Sequence, residues 1–78
     1  MEFEVGSYYR RRPYGKDDER YYIYRVLRVT DAYLVIRVIV PPKNHSYEKN
    51  WEFHSYKDVH QGDERVEDWK AVLLSLGE

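Results

Sequence analysis

The sequence predicts an α+β fold that is mainly β: a small, bent antiparallel sheet of about four strands with one C-terminal helix. Three observations carry this prediction. Two runs dense in β-branched and aromatic residues, 21–30 and 33–40, lie either side of a two-residue break. Shorter alternating segments, 3–9 and 51–56, flank them. Beyond residue 63 the apolar spacing lengthens from two to three and four, which marks a helix.

The two central runs form the predicted hairpin. Val, Ile, Tyr and Thr fit a pleated, half-buried surface, and Asp31-Ala32 supplies a tight turn without the glycine usual in such loops. A two-residue loop pairs residue i with 63 − i. Ile23, Leu27 and Val29 then share a face with Leu34, Ile36 and Val40. The opposite face carries Tyr22, Tyr24, Val26 and Arg28 across from Tyr33, Val35 and Ile39, with Arg37 among them. Arg25 falls by parity on the apolar face. It must therefore lie at an edge, pair with a carboxylate, or mark a bulge near Val26-Leu27.

In the first strand, Gly6 predicts a bulge or sharp bend. Residues 10–19, with Pro13, Gly15 and many charges, read as a loop, as does the polar stretch after Pro41-Pro42. Trp51-Glu52-Phe53-His54-Ser55-Tyr56 alternates again. The predicted helix covers roughly 64–76, with Asp63 as N-cap, acidic residues in its first turn and Gly77 ending it. A final strand through Val72-Leu73-Leu74 is the alternative. The helical stripe Val66, Trp69, Leu73 and Leu76 is expected to pack on Leu27, Leu34, Ile36, Val38 and Phe53, and Phe3, Trp51, Phe53 and Trp69 are the expected aromatic core.

Size and composition narrow the function. The chain has 78 residues and no cysteine, which allows a single domain over 1–78 and excludes disulfides, thiolate metal sites and thiol nucleophiles. Its net charge is −1, yet residues 1–43 carry a net +3 and residues 44–78 a net −4. No apolar run is long enough to span a membrane and the Met-Glu-Phe-Glu start is no signal peptide, so a cytoplasmic location is expected.

Most chemical readings are weak on spacing alone. His45, His54 and His60 lie nine and six residues apart, which fits no standard zinc pattern even with Asp58 added. Asp17-Asp18-Glu19, between Lys16 and Arg20, reads as a solvated loop. Four scattered glycines build no phosphate cradle. A Ser/His/Asp triad can be spelled from Ser55, His54 or His60, and Asp58, but a triad is defined by convergence in space. No metal, no cofactor and no enzymatic activity are therefore expected.

A surface remains. Tyr8, Tyr9, Arg10, Arg11, Arg12 and Tyr14 form a dense segment, to which the hairpin face adds Tyr22, Tyr24, Arg28, Tyr33 and Arg37. Tyr and Arg are enriched at interface hot spots. The expected function is that of a small non-enzymatic protein-binding module, an adaptor, subunit or inhibitor, and chains of this size and kind are common in phages and mobile elements. Nucleic acid is the alternative partner, since arginines hold phosphates and tyrosines stack on bases. The absence of a basic excess counts against it. Self-association through a strand edge or the Tyr-rich face is a further expectation. Alanine at Arg10, Arg11 and Arg12 together is expected to weaken binding without changing the melting temperature.

Across residues 2–57 the strand pattern, with its Val5-Gly6 start and long hairpin, loosely resembles a small SH3-like, partly open barrel. No specific motif carries that resemblance, so it transfers no functional residue.

Overall fold

The computed structural model describes residues 2–11, 22–41 and 48–76. Five antiparallel strands form one open sheet: β1 (Tyr8–Arg10), β2 (Ile23–Val29), β3 (Tyr33–Val40), β4 (Glu52–Tyr56) and β5 (Glu64–Val66), in the order β4-β3-β2-β1-β5. A 3₁₀ turn (Lys57–His60) joins β4 to β5, and α1 (Asp68–Leu76) ends the chain. No described helix is long and apolar enough to cross a membrane.

The mainly β, α+β fold with a C-terminal helix is as the sequence predicts. The sheet has one strand more, because residues 64–66 pair with β1 instead of opening the helix. The first strand is also shorter than its alternation implies. Val5-Gly6 forms a turn, Gly6 sits at φ +90°, and its amide donates to the Val26 carbonyl at 2.7 Å. Only glycine adopts that φ without strain.

The hairpin holds the main lesson of the fold. Near its turn the pairing follows the predicted register, with Val29 opposite Leu34 and Arg28 opposite Val35. Leu27 is then an extra residue, so Val26 pairs with Ile36, Arg25 with Arg37 and Tyr24 with Val38. Of the three outcomes that the parity of Arg25 allowed, this is the bulge near Val26-Leu27. One inserted residue exchanges the faces of the pairs beyond it, here Tyr24 to Val26, until a second shift between Tyr24 and Ile23 returns Ile23 to its expected partner Val40. Tyr24 and Val26 therefore turn inward beside Leu34, Ile36 and Val38, where a regular hairpin would have set them outward. Arg25 is released from the core. Its Nε donates to the Gly6 carbonyl at 3.2 Å and its guanidinium lies 5.7 Å from the centre of the Tyr8 ring.

Two apolar clusters lie on the sheet. The larger holds Phe3, Tyr9, Tyr22, Tyr24, Val26, Leu34, Ile36 and Val38, with Val29 and Phe53 at its margin. Its rings contact one another: Phe3 meets Tyr9 edge-on at 5.2 Å, and Tyr9 stacks on Tyr24 at 5.9 Å. The smaller cluster, Ile23, Val66 and Ala71 with Tyr8, Ile39 and Val40, seats the helix.

The predicted helix face is reversed. Ala71 is the buried residue of α1 and Ser75 is half-buried, whereas Trp69, Leu73 and Leu76 are 66%, 60% and 78% exposed. Small residues four apart let the helix backbone approach the sheet closely, and the large side chains on the other side point away. Trp51 is likewise exposed, although its ring lies 4.7 Å from that of Phe53. Of the expected aromatic core, only Phe3 is buried and Phe53 half-buried.

Candidate functional site

The tyrosine and arginine residues singled out in the sequence do not assemble into one face. Tyr9, Tyr22 and Tyr24 are core residues. In a short chain with few large aliphatics, tyrosine rings supply the buried area that folding needs. Tyr9 is satisfied inside, its hydroxyl accepting from the Glu4 amide at 3.0 Å. Tyr8 is half-buried beneath Arg25. The arginines are spread and largely matched with acids. Arg10 bonds Glu64 at 3.0 Å across β1 and β5, and Arg37 donates through Nε to Glu52 at 2.9 Å across β3 and β4. Arg11 is buried against Asp63. Arg28 is exposed, as is Tyr33, whose ring lies 4.8 Å from that of Tyr56. Arg12 and Tyr14 lie outside the described residues. Among the described residues, Arg10, Arg11 and Arg37 of the basic half are thus each paired with an acid of the other half, which near-zero net charge alone does not reveal.

The structure instead brings together a buried polar cluster. Asp63 is its centre. Its Oδ1 accepts from Arg11 Nη1 at 3.1 Å, and its Oδ2 accepts from the Tyr24 hydroxyl at 2.5 Å. His60 Nδ1 also lies 2.7 Å from Oδ2, and His60 Nε2 lies 2.7 Å from Ser55 Oγ. A carboxylate only accepts, so His60 Nδ1 carries hydrogen, and in the neutral ring Nε2 accepts from Ser55. The His60 ring packs 5.1 Å from that of Tyr24. Burial, followed by the bond to Asp63, pushes the Tyr24 phenol far above its usual range, because its anion would be both desolvated and beside a carboxylate.

Each residue arrives from a different element. Arg11 follows β1, Tyr24 is on β2, Ser55 on β4, His60 ends the 3₁₀ turn and Asp63 precedes β5. Asp63 is therefore not the helix N-cap that its position predicts, since its oxygens are taken up by the core. Asp58 and His54, the other residues from which a triad could be spelled, are exposed.

Ser55, His60 and Asp63 have the connectivity of a nucleophile, base and orienting acid. Their setting is largely closed to solvent. The His60 and Asp63 side chains are 1% and 0% exposed, Ser55 pairs opposite buried Leu34, and Asp63 is already shared with Arg11 and Tyr24. A base that serves a substrate must be reachable by it. The cluster acts as a pin that ties the β4–β5 connection to β1 and β2. No buried side-chain polar atom among the described residues lacks a hydrogen bond. Nor does any group of three or more His, Asp or Glu among them have the arrangement to hold a metal ion.

The remaining feature is apolar. At about 100° per residue, Trp69, Val72, Leu73 and Leu76 span an arc of about 100° on α1. All four are exposed. The centre of this arc lies about 130° from that of Ala71 and Ser75, which face the sheet. An amphipathic helix normally seats its apolar stripe on its own domain. Here the stripe points outward, flanked at the N-terminal end by exposed Glu67 and Asp68 and at the C-terminal end by Lys49, whose Nζ donates to the Ser75 carbonyl at 2.7 Å. Its spacing was legible in the sequence. The signal for its direction was the Ala71/Ser75 pair, the small residues that permit close approach.

Together these features define a class, a small α+β sheet domain with a polar pin inside and an apolar helix stripe outside. Comparison with protein families, curated proteins and solved structures gave no match for the chain.

Proposed function

We propose that this chain is a non-enzymatic protein-binding module and that its contact surface is the outward stripe of α1. The observation that carries this reading is the orientation of the helix, with Ala71 buried and Trp69, Val72, Leu73 and Leu76 in solvent. Grouped apolar residues on a small domain with a polar rim mark association sites, and a Trp with neighbouring Leu side chains is a typical hot-spot grouping. The nucleic-acid alternative has less support, because Tyr9, Tyr22 and Tyr24 are core residues and Arg10, Arg11 and Arg37 are bonded to carboxylates.

The test compares immobilised wild-type chain with Leu73→Asp and with Arg28→Ala. A specific protein retained by the wild type and by Arg28→Ala, but lost with Leu73→Asp, supports the stripe. Retention by Leu73→Asp overturns it. Salt-steep binding to single-stranded oligonucleotides that weakens in Arg28→Ala would favour the nucleic-acid reading instead.

A further inference from the structure

Resting on that reading of the stripe, we propose that its occupant is the same stripe of a second copy, in a two-fold pair with the two α1 helices antiparallel. The stripe is self-complementary about its middle. An axis through Val72 and Leu73 sets Trp69 of one copy against Leu76 of the other at both ends, so that the larger side chain meets the smaller and the central residues meet each other. This is the form of an isologous interface, in which residue i contacts j and j contacts i.

Charge selects the antiparallel sense. Glu67 and Asp68 lie at one end of the helix and Lys49 at the other, where its Nζ is 2.7 Å from the Ser75 carbonyl. Antiparallel pairing brings each acidic end onto the Lys49 end of the other copy and opposes the two helix dipoles. That acidic end also carries exposed Lys70, which leaves it net −1, and parallel pairing would set each end against its own like charge. Packing removes the intramolecular alternative. Turning the stripe inward would carry Trp69 or Leu73 into the space that Ala71 fills beside Ile23 and Val66, and close-packed protein interiors do not admit side chains so much larger without moving.

The interface is small. A nine-residue helix is about 13 Å long, so the pair belongs with weak associations that bury less than about 1,200 Å². A dissociation constant of roughly 10–500 μM is expected.

Sedimentation equilibrium of the full chain from about 10 μM to about 1 mM tests this. The wild type should pass from monomer toward dimer. Leu73→Asp should weaken the dimer at least about tenfold while keeping the wild-type melting temperature measured at low concentration. Lys49→Glu and Asp68→Lys should each weaken association several-fold, and the two combined should restore it, because the swapped charges meet again across the two-fold axis. A wild-type chain that stays monomeric at about 1 mM overturns the proposal, as does a dimer indifferent to Leu73→Asp. A charge-swapped double variant no better than either single variant overturns the antiparallel pairing. If the chain is monomeric but still captures a protein in a stripe-dependent way, the second copy is wrong and the binding reading stands. If capture is also indifferent to Leu73→Asp, both fall.

Discussion

Asp63 and Leu73 lie ten residues apart in the chain, and each occupies the environment usually given to the other. The carboxylate is inside with three side-chain donors around it, and the leucine is outside with most of its surface in water. The pin is complete, since the donors its carboxylate needs are supplied from within the domain. The stripe is incomplete, since the sheet below it is already covered by Ala71. A polar group can be buried cheaply only when it is satisfied. Grouped apolar surface left in water is what the proposed association would cover. The satisfied polar core and the exposed apolar stripe are thus separate features of the last third of the chain.

The sharpest way to break this contrast is to empty the pin. Asp63→Ala leaves the buried Arg11 charge, the Tyr24 hydroxyl and His60 without their shared acceptor. Removing one partner of a buried pair costs about 3–5 kcal/mol, a large part of the stability of any small domain. Urea unfolding should show a domain barely folded at room temperature. The burial of Arg11 also changes one sequence-based expectation: alanine at Arg10, Arg11 and Arg12 together should lower the melting temperature, because the middle residue is part of the pin. An unchanged unfolding midpoint for Asp63→Ala would show that the cluster does not tie the fold together.

A second test uses pH. The Tyr24 phenol is raised far above its ordinary value of 10.0 by burial and by Asp63. Below pH 10 it is neutral whether the chain is folded or unfolded, and its contribution is fully present. Above pH 10 the unfolded chain loses this proton and the folded chain keeps it, so stability should fall by about 1.4 kcal/mol per pH unit for this group. Urea midpoints measured through alkaline pH should fall less steeply in Tyr24→Phe. Some slope of the same sign should persist, because Tyr33, held by its hydrogen bond to Tyr56, is shifted in the same direction. Equal slopes in the two proteins would exclude Tyr24 as the group responsible.

Smaller effects sharpen the picture. Gly6→Ala should cost about 1–2 kcal/mol through its positive φ alone. The added Cβ would meet the Arg25 guanidinium at 3.7 Å, an ordinary contact. Leu76→Ala should change the stability of the monomer by less than about 0.5 kcal/mol, although leucine to alanine in a core costs about 2–5 kcal/mol. A large loss at low protein concentration would mean that the stripe is packed within its own domain. The four measurements run from the inside of the molecule to the outside, and their order of size is itself the expectation.

Much of the fold was legible in local pattern. The two β-rich runs, the turn at Asp31-Ala32 and the helical spacing after residue 66 depend on neighbours in the chain, and each is present. The bulge was legible as one of three ways to place an arginine that falls on an apolar face. What that bulge did to Tyr24 was not, since its exact place decides which side chains turn inward. The candidate site was less legible. Asp63 meets Tyr24 from 39 residues away and Arg11 from 52, and no local pattern encodes such meetings.

By itself the sequence determined the central hairpin, the strand through residues 52–56 and the body of the last helix, that cysteine chemistry is excluded, and that a stripe of Trp, Val and Leu lies along the last turns. Only the tertiary structure decided which way each face points. Periodicity sets how side chains group around an element's own axis. The rotation of that axis against the sheet is set by the closest approach available, and here Ala71 and Ser75 made that approach. The stripe was written in the chain, but its exposure follows from the packing beneath it.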